Sequence, residues 1–224
     1  MKAIVYCVSA LLCVASFGTR ATAADLSTDE QKTIYALGVA ISQNLAPFAL
    51  SESELEILKA GLSDGVLKRP TKVEMQTYGP KIQQLAQARA AAVAEKEKKA
   101  GAEFLAKAAA EPGTKKTASG AIVKTVKEGA GAMPIAADKV KVHYQGALMD
   151  GTIFDSSIRR GEPATFPLTG VIKCWTEALQ QVKVGGKARL VCPADIAYGD
   201  RGSPPLIKPG ATLIFDVELL EIVK

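Results

Sequence analysis

The stretch KVKVHYQGALMDGTIFD, residues 139–155, decides the fold. Lys139 to Leu148 has the period-two alternation and β-branched content of a strand, and Asp150-Gly151 follows it as a tight turn. The same pattern recurs in Ile122 to Lys127, Lys187 to Cys192 and Thr212 to Val223. Among these strands only Trp175 to Val182 reads as a helix. Several strands with one helix predict an antiparallel sheet folded over that helix, an α+β domain.

Upstream of this region the chain changes character. Glu111-Pro112-Gly113 ends a helix. Residues 81–110 are rich in Ala, Gln, Glu and Lys, with Gly101 as the one glycine, a composition that favours helix strongly. Pro80 suits a first helical position, where its missing amide costs nothing, and thirty such residues would form a rod of roughly 45 Å. The Glu95 to Lys99 cluster is charged on every side, which predicts a solvated helix rather than a core one. Further upstream, three Ser/Thr-x-x-Glu/Gln boxes pair Thr28 with Gln31, Ser51 with Glu54 and Thr71 with Glu74. Ile34, Leu37, Ile41 and Leu45 follow the first box, and Leu55, Leu58, Leu62 and Val66 the second, at spacings of three and four. Both runs predict short amphipathic helices with one face to bury.

The first residues read as a targeting signal. Lys2 precedes an apolar run from Ala3 to Phe17, and Ala21-Thr22-Ala23 offers small residues for cleavage before Ala24. The run is too short to span a bilayer, and no other segment is long and apolar enough to do so. Cleavage would remove Lys2 and Arg20 and lower the formal net charge from +5 to +3, too little to argue for a nucleic-acid partner. It would leave two cysteines, Cys174 and Cys192, in an oxidising compartment. The expected organisation is a signal peptide at 1–23, a helical domain at 24–79, a connecting helix at 80–112 and the strand-rich domain at 113–224.

Much chemistry lacks its parts. His143 is the single histidine, so neither a metal cluster nor a triad with a second positioning histidine can be built, and its mid-strand place predicts a packed or hydrogen-bonded role. No P-loop, dinucleotide fingerprint or nucleophile elbow is present, and no cofactor is expected. What remains is a set of aromatics in the strand-rich half: Tyr144, Phe154, Phe166, Trp175, Tyr198 and Phe215. Taken alone such residues suit a core. However, Tyr198 lies in the loop Ala197-Tyr198-Gly199-Asp200-Arg201-Gly202, where a large ring is seldom placed for packing. Asp155 and Arg160 put a polar pair beside Phe154, as in a concave site with few oriented polar groups.

Val142-His143-Tyr144-Gln145-Gly146, Asp150 through Ser157, Val171-Ile172-Lys173-Cys174-Trp175, Ala197-Tyr198-Gly199 and Leu213 through Leu220 resemble, in order and spacing, the FKBP-type prolyl isomerase domain. The helical half resembles the N-terminal domain of the macrophage-infectivity-potentiator type, chiefly through Tyr35-Ala36-Leu37-Gly38 and the long Ala/Lys-rich helix. The resemblance implies a half-barrel sheet wrapped on a short helix, with a prolyl pocket between them. Trp175 would be the floor, Tyr144, Phe154, Val171, Ile172 and Phe215 the walls, and Leu206 and Ile207 an overhanging loop. Asp155 and Arg160 would be the polar pair, and Tyr198 the hydroxyl that holds a substrate carbonyl. It further implies a homodimer in the periplasm, with attachment to the outer membrane left open. Its partners would be proline-containing unfolded chains, and its inhibitors rapamycin-type macrolides. The alternative is a holdase chaperone whose isomerase pocket is incidental.

Three positions depart from the family pattern. Ala164 replaces a larger apolar residue, Cys174 the usual glycine before the tryptophan, and Cys192 an apolar strand residue. Alternation along Lys187 to Cys192 sends Ala188, Leu190 and Cys192 to the face that meets the helix beginning near Cys174. A Cys174–Cys192 disulfide is therefore expected, with two buried free thiols as the alternative.

Overall fold

The computed structural model describes residues 26–223, so the expected signal peptide at 1–23 lies outside the described residues. The chain divides into two compact units, one ending at Val39 and the other running from Ala40.

The first unit holds most of helix α1, Asp29–Ser42. Its start is the expected box: the Gln31 amide donates to Thr28 Oγ1 at 3.2 Å, and Gln31 Oε1 accepts from the Thr28 amide at 3.0 Å. Asp29 and Glu30 add negative charge where the helix dipole favours it. No residue of α1 is buried; Ile34, Tyr35, Leu37 and Val39 are exposed.

The second unit opens with a 3-10 turn, Gln43–Phe48, and helix α2, Glu52–Val66. Ser51 and Glu54 form the reciprocal box at 3.4 and 2.9 Å. Helix α2 also buries nothing and exposes Leu55, Ile57, Leu62 and Val66. The long helix α3 runs Met75–Ala109, 35 residues. It starts ahead of Pro80 because Glu74 is itself the N-cap, without a side-chain capping bond, so the box expected between Thr71 and Glu74 does not form. Pro80 therefore lies inside the helix and removes one N–H from its ladder. Arg89 ties α3 to the start of α2, with Nη2 at 2.5 Å from Glu54 Oε1 and Nη1 donating to the Phe48 carbonyl at 3.3 Å. The bond from Arg89 to Glu54, with those from Ser51, holds the Glu54 carboxyl down to about 2.

Beyond α3 comes an antiparallel sheet of seven strands: β1 (Thr114–Lys116), β2 (Ile122–Lys127), β3 (Lys139–Leu148), β4 (Ile153–Ser156), β5 (Ala164–Pro167), β6 (Lys187–Cys192) and β7 (Leu213–Val223). Their order is β1-β2-β6-β7-β3-β4, with β5 also paired to β3. A one-turn helix α4, Ser157–Arg160, follows β4, and helix α5, Lys173–Leu179, follows β5. Trp175 and Leu179 of α5 join Val140, Val142, Leu190, Leu213 and Leu219 from the strands in one buried core. This is the α+β arrangement expected from the alternating strands.

The opposite face of the sheet carries a second, smaller core. Ile122 and Val191 are buried there with Ala108, and Phe104 and Leu105 of α3 pack against them. Helix α3 is thus not solvated all round. It buries Ala94, Gly101 and Ala108, and within the charged cluster Glu97 and Lys98 turn toward ion-pair partners in the strand-rich region. Among the described residues no helix is long and apolar enough to cross a membrane.

Candidate active site

Strand alternation puts Tyr144 and Phe215 on the buried face, and the first turn of α5 delivers Trp175 to the same place. The indole is ringed by edges, with the centroid of Tyr144 at 5.2 Å, Phe215 at 5.3 Å and Phe166 at 5.7 Å. Phe154 meets Phe215 at 5.6 Å, again edge to face. Such pairs hold ring orientation through their quadrupoles beyond simple area burial. The indole N–H is buried and has no acceptor among the described residues, and the surrounding rings set its orientation.

Two residues that build this cage stand out only in three dimensions. Phe166, from the short β5 between two prolines, touches both Tyr144 and Trp175, yet sequence reading assigned it no role in the site. Gly146 lies beneath the rings: an added Cβ would come within 2.6 Å of Phe154 Cζ and 2.9 Å of Phe215 Cε1. The missing side chain lets the two rings close over the strand.

A polar trio stands at the edge of the rings. The Tyr144 hydroxyl donates to Asp155 Oδ2, and Arg160 Nη1 donates to Asp155 Oδ1. Arg160 Nη2 also donates to the Tyr144 oxygen at 3.0 Å. Partial burial pushes the Asp155 carboxyl up, but the Tyr144 hydroxyl and the Arg160 guanidinium outweigh it and hold its pKa below the ordinary carboxylate range. Burial, then the hydrogen bond to Asp155, pushes the Tyr144 phenol up. The trio is therefore a carboxylate, a neutral phenol and a guanidinium at neutral pH. Behind it, Ser157 Oγ accepts from the Tyr144 amide at 2.8 Å and lies 3.2 Å from His143 Nδ1, the hydrogen-bonded role expected of this histidine.

Val171 and Ile172 are half-buried against the same core, and Ile207 is buried within it. Leu206 is 51% exposed and Tyr198 41% exposed, so neither belongs to that cluster. Both lie on the segment between β6 and β7, where Ser203 and Ile207 exchange backbone hydrogen bonds at 2.8 and 3.0 Å. Cys174, directly before the tryptophan, is joined to Cys192 at the end of β6 across 5.7 Å between Cα atoms. Both cysteines are fully buried, and the bridge fills the seam between α5 and the sheet.

The model of the FKBP-type peptidyl-prolyl cis-trans isomerase matches residues 131–220, and that of the domain amino terminal to it matches residues 30–122. The isomerase FkpA of Aeromonas hydrophila is 40% identical, over 94% of this chain and 82% of its own length. The chain belongs to the FKBP-type peptidyl-prolyl cis-trans isomerases. The isomerase Mip of Coxiella burnetii is 35% identical over 92% of this chain and 93% of its own. The crystal structure of FkpA from Escherichia coli superposes with a TM-score of 0.65 at 36% identity, covering 88% of this chain and 98% of that one. As an FKBP-type isomerase with the accompanying N-terminal domain, this protein catalyses rotation about X-Pro peptide bonds.

Proposed function

We propose that the protein speeds the folding of exported proteins in the periplasm as a homodimer, binding X-Pro segments over Trp175 and stabilising the twisted amide. The observation that carries this reading is the indole ringed by Tyr144, Phe166 and Phe215, with Asp155 locked beside it. Rotation must break amide resonance, a barrier of about 18–20 kcal/mol. No covalent bond to carbon breaks, so no nucleophile is required. The twisted amide is less polar than the planar one, and an apolar enclosure favours it.

In this scheme the prolyl ring sits over Trp175 between Phe154, Phe215, Val171 and Ile172, with Leu206 and Ile207 overhanging. The Tyr198 hydroxyl donates to a substrate carbonyl and fixes the chain. Asp155 faces the turning carbonyl, and Arg160 keeps that carboxylate oriented. The same apolar seat would take a rapamycin-type macrolide. The helical region at 24–79 would dimerise through the exposed apolar faces of α1 and α2. The helix at 80–112 would connect it to the isomerase region at 113–224.

A protease-coupled assay on an X-Pro tetrapeptide, with a macrolide competitor, tests the site. Phe154→Ala and Tyr198→Ala should each lose most of the activity and the inhibition while near-UV dichroism keeps its parent shape. Parent rates in both variants would move the site elsewhere. A holding role is read separately, as aggregation suppression that survives in Tyr198→Ala.

A further inference from the structure

The segment between β6 and β7 carries Tyr198, Leu206 and Ile207, and it rests on α3. Residues 94, 97, 98 and 101 share one face of that helix, at the three- and four-residue spacing that stacks side chains together. Lys98 Nζ lies 2.7 Å from Asp200 Oδ1 and 3.2 Å from Asp195 Oδ1, one carboxylate on each side of Tyr198. Glu97 lies 3.6 Å from Lys208 Nζ, just past Ile207.

Backbone contact continues the same face. Gly210 approaches so closely that an added Cβ would meet the Ala94 carbonyl oxygen at 2.5 Å, and its positive φ of 73° suits glycine in any case. A Cβ on Gly101 would overlap Thr212 Oγ1, and Thr212 is itself buried. The two limbs of the segment are joined by the Gly210 amide donating to the Gly199 carbonyl at 2.9 Å. Helix α3 therefore grips both limbs of one closed loop.

We propose that Lys98 and Gly101 are positioning residues for isomerisation: through Asp195, Asp200 and Thr212 they hold the loop that presents Tyr198 and Ile207 to the substrate. The inference rests on the reading that these two residues line the prolyl pocket. An exposed ion pair alone contributes little. Here one ammonium spans two carboxylates while the helix and loop backbones close-pack beside it. A loop ordered in advance spares the substrate the cost of ordering it, which is gained as binding.

The test uses the full mature chain, with kcat and KM measured on a tetrapeptide and amide exchange followed by mass spectrometry. Lys98→Met and Gly101→Ala should each raise KM by about threefold to tenfold with kcat little changed, the mark of lost uniform binding. Exchange should quicken across 194–212 and stay at the parent rate in β3. Lys98→Arg should restore KM, and Thr212→Ala should relieve Gly101→Ala by removing the overlapping oxygen. Lys98 is half-exposed at the surface, so its variants remain informative if Gly101→Ala folds poorly. Parent KM and parent exchange in Lys98→Met would overturn the proposal, as would exchange that quickens equally in β3. Tyr198→Ala separates the two failures. A raised KM there beside a parent KM in Lys98→Met removes the clamp alone; a parent KM in Tyr198→Ala removes the pocket assignment and the clamp with it.

Discussion

From Ala121 to Leu219 the chain buries a core of aliphatic residues, three aromatic rings and a disulfide, with Phe154 and Phe166 packed against it, all within one copy. From Asp29 to Val66, α1 and α2 are equally well-formed helices with capped starts, yet they bury none of their residues. Local signals are comparable in the two regions, so local structure alone does not make a core. The sheet region closes on itself because strands distant in sequence bring apolar faces together. The helical region has two faces and little chain to cover them, and a second copy supplies what is missing in the dimer proposed above.

The largest effect is expected where that contrast is sharpest. Replacing Leu37 and Leu62 by Asp places charge on both exposed faces, and burying an unpaired carboxylate is prohibitive. Light scattering at micromolar concentration should then report monomers, while activity on a short peptide stays at the parent level. A parent protein that is already monomeric under those conditions would break the comparison. Next comes the bridge. Replacing Cys174 and Cys192 by Ala opens an 18-residue separation and should cost about 3 kcal/mol in the chain-entropy picture. Urea unfolding followed by the single tryptophan should show that loss, with the association state unaltered.

A smaller effect is expected at the strand beneath the rings. Gly146→Ala should displace Phe154 and Phe215 and lower kcat/KM by up to about a hundredfold, the scale of a 1 Å misplacement. The smallest concerns pH. Because the folded pKa of Asp155 is depressed, its charged form is kept above the ordinary carboxylate value and lost only as pH falls through the lower folded value. Activity on a stable tetrapeptide should therefore be flat from pH 8 to about 5, and any acid limb should lie below about 3.9. Asp155→Asn should remove that limb. An acid limb centred above pH 5 would mean that the trio does not hold Asp155 as described.

The long strands were readable because burial on one face forces alternation, and Lys139 to Leu148, Ile122 to Lys127 and Lys187 to Cys192 stand where the pattern put them. The Thr28 and Ser51 boxes were readable because their bonds lie within four residues. The short strands β4 and β5 have too few residues to show a period, and Phe166 went unassigned with them. The packing face of α3 was hidden for a different reason. Ala94, Gly101 and Ala108 bury a methyl group or none, and in an Ala-rich sequence small residues look like mere helix formers. Gly146 and its rings meet only once β3, β4 and β7 are paired. Its role belongs to tertiary structure, and no local signal marks it.

The strand order has a consequence for how the chain reaches this state. Residues 213–223 form the strand between β6 and β3, so the sheet has no centre until they are present. Pairing Val140 with Ile222 or Lys187 with Glu218 closes long loops before any reward is gathered, which makes formation slow and late. The capped helices at 29–66 need only near neighbours and can form as soon as they are made. A chain emerging from its N-terminal end therefore carries nascent helices well before it carries an isomerase, and the catalyst of slow prolyl steps waits on β7.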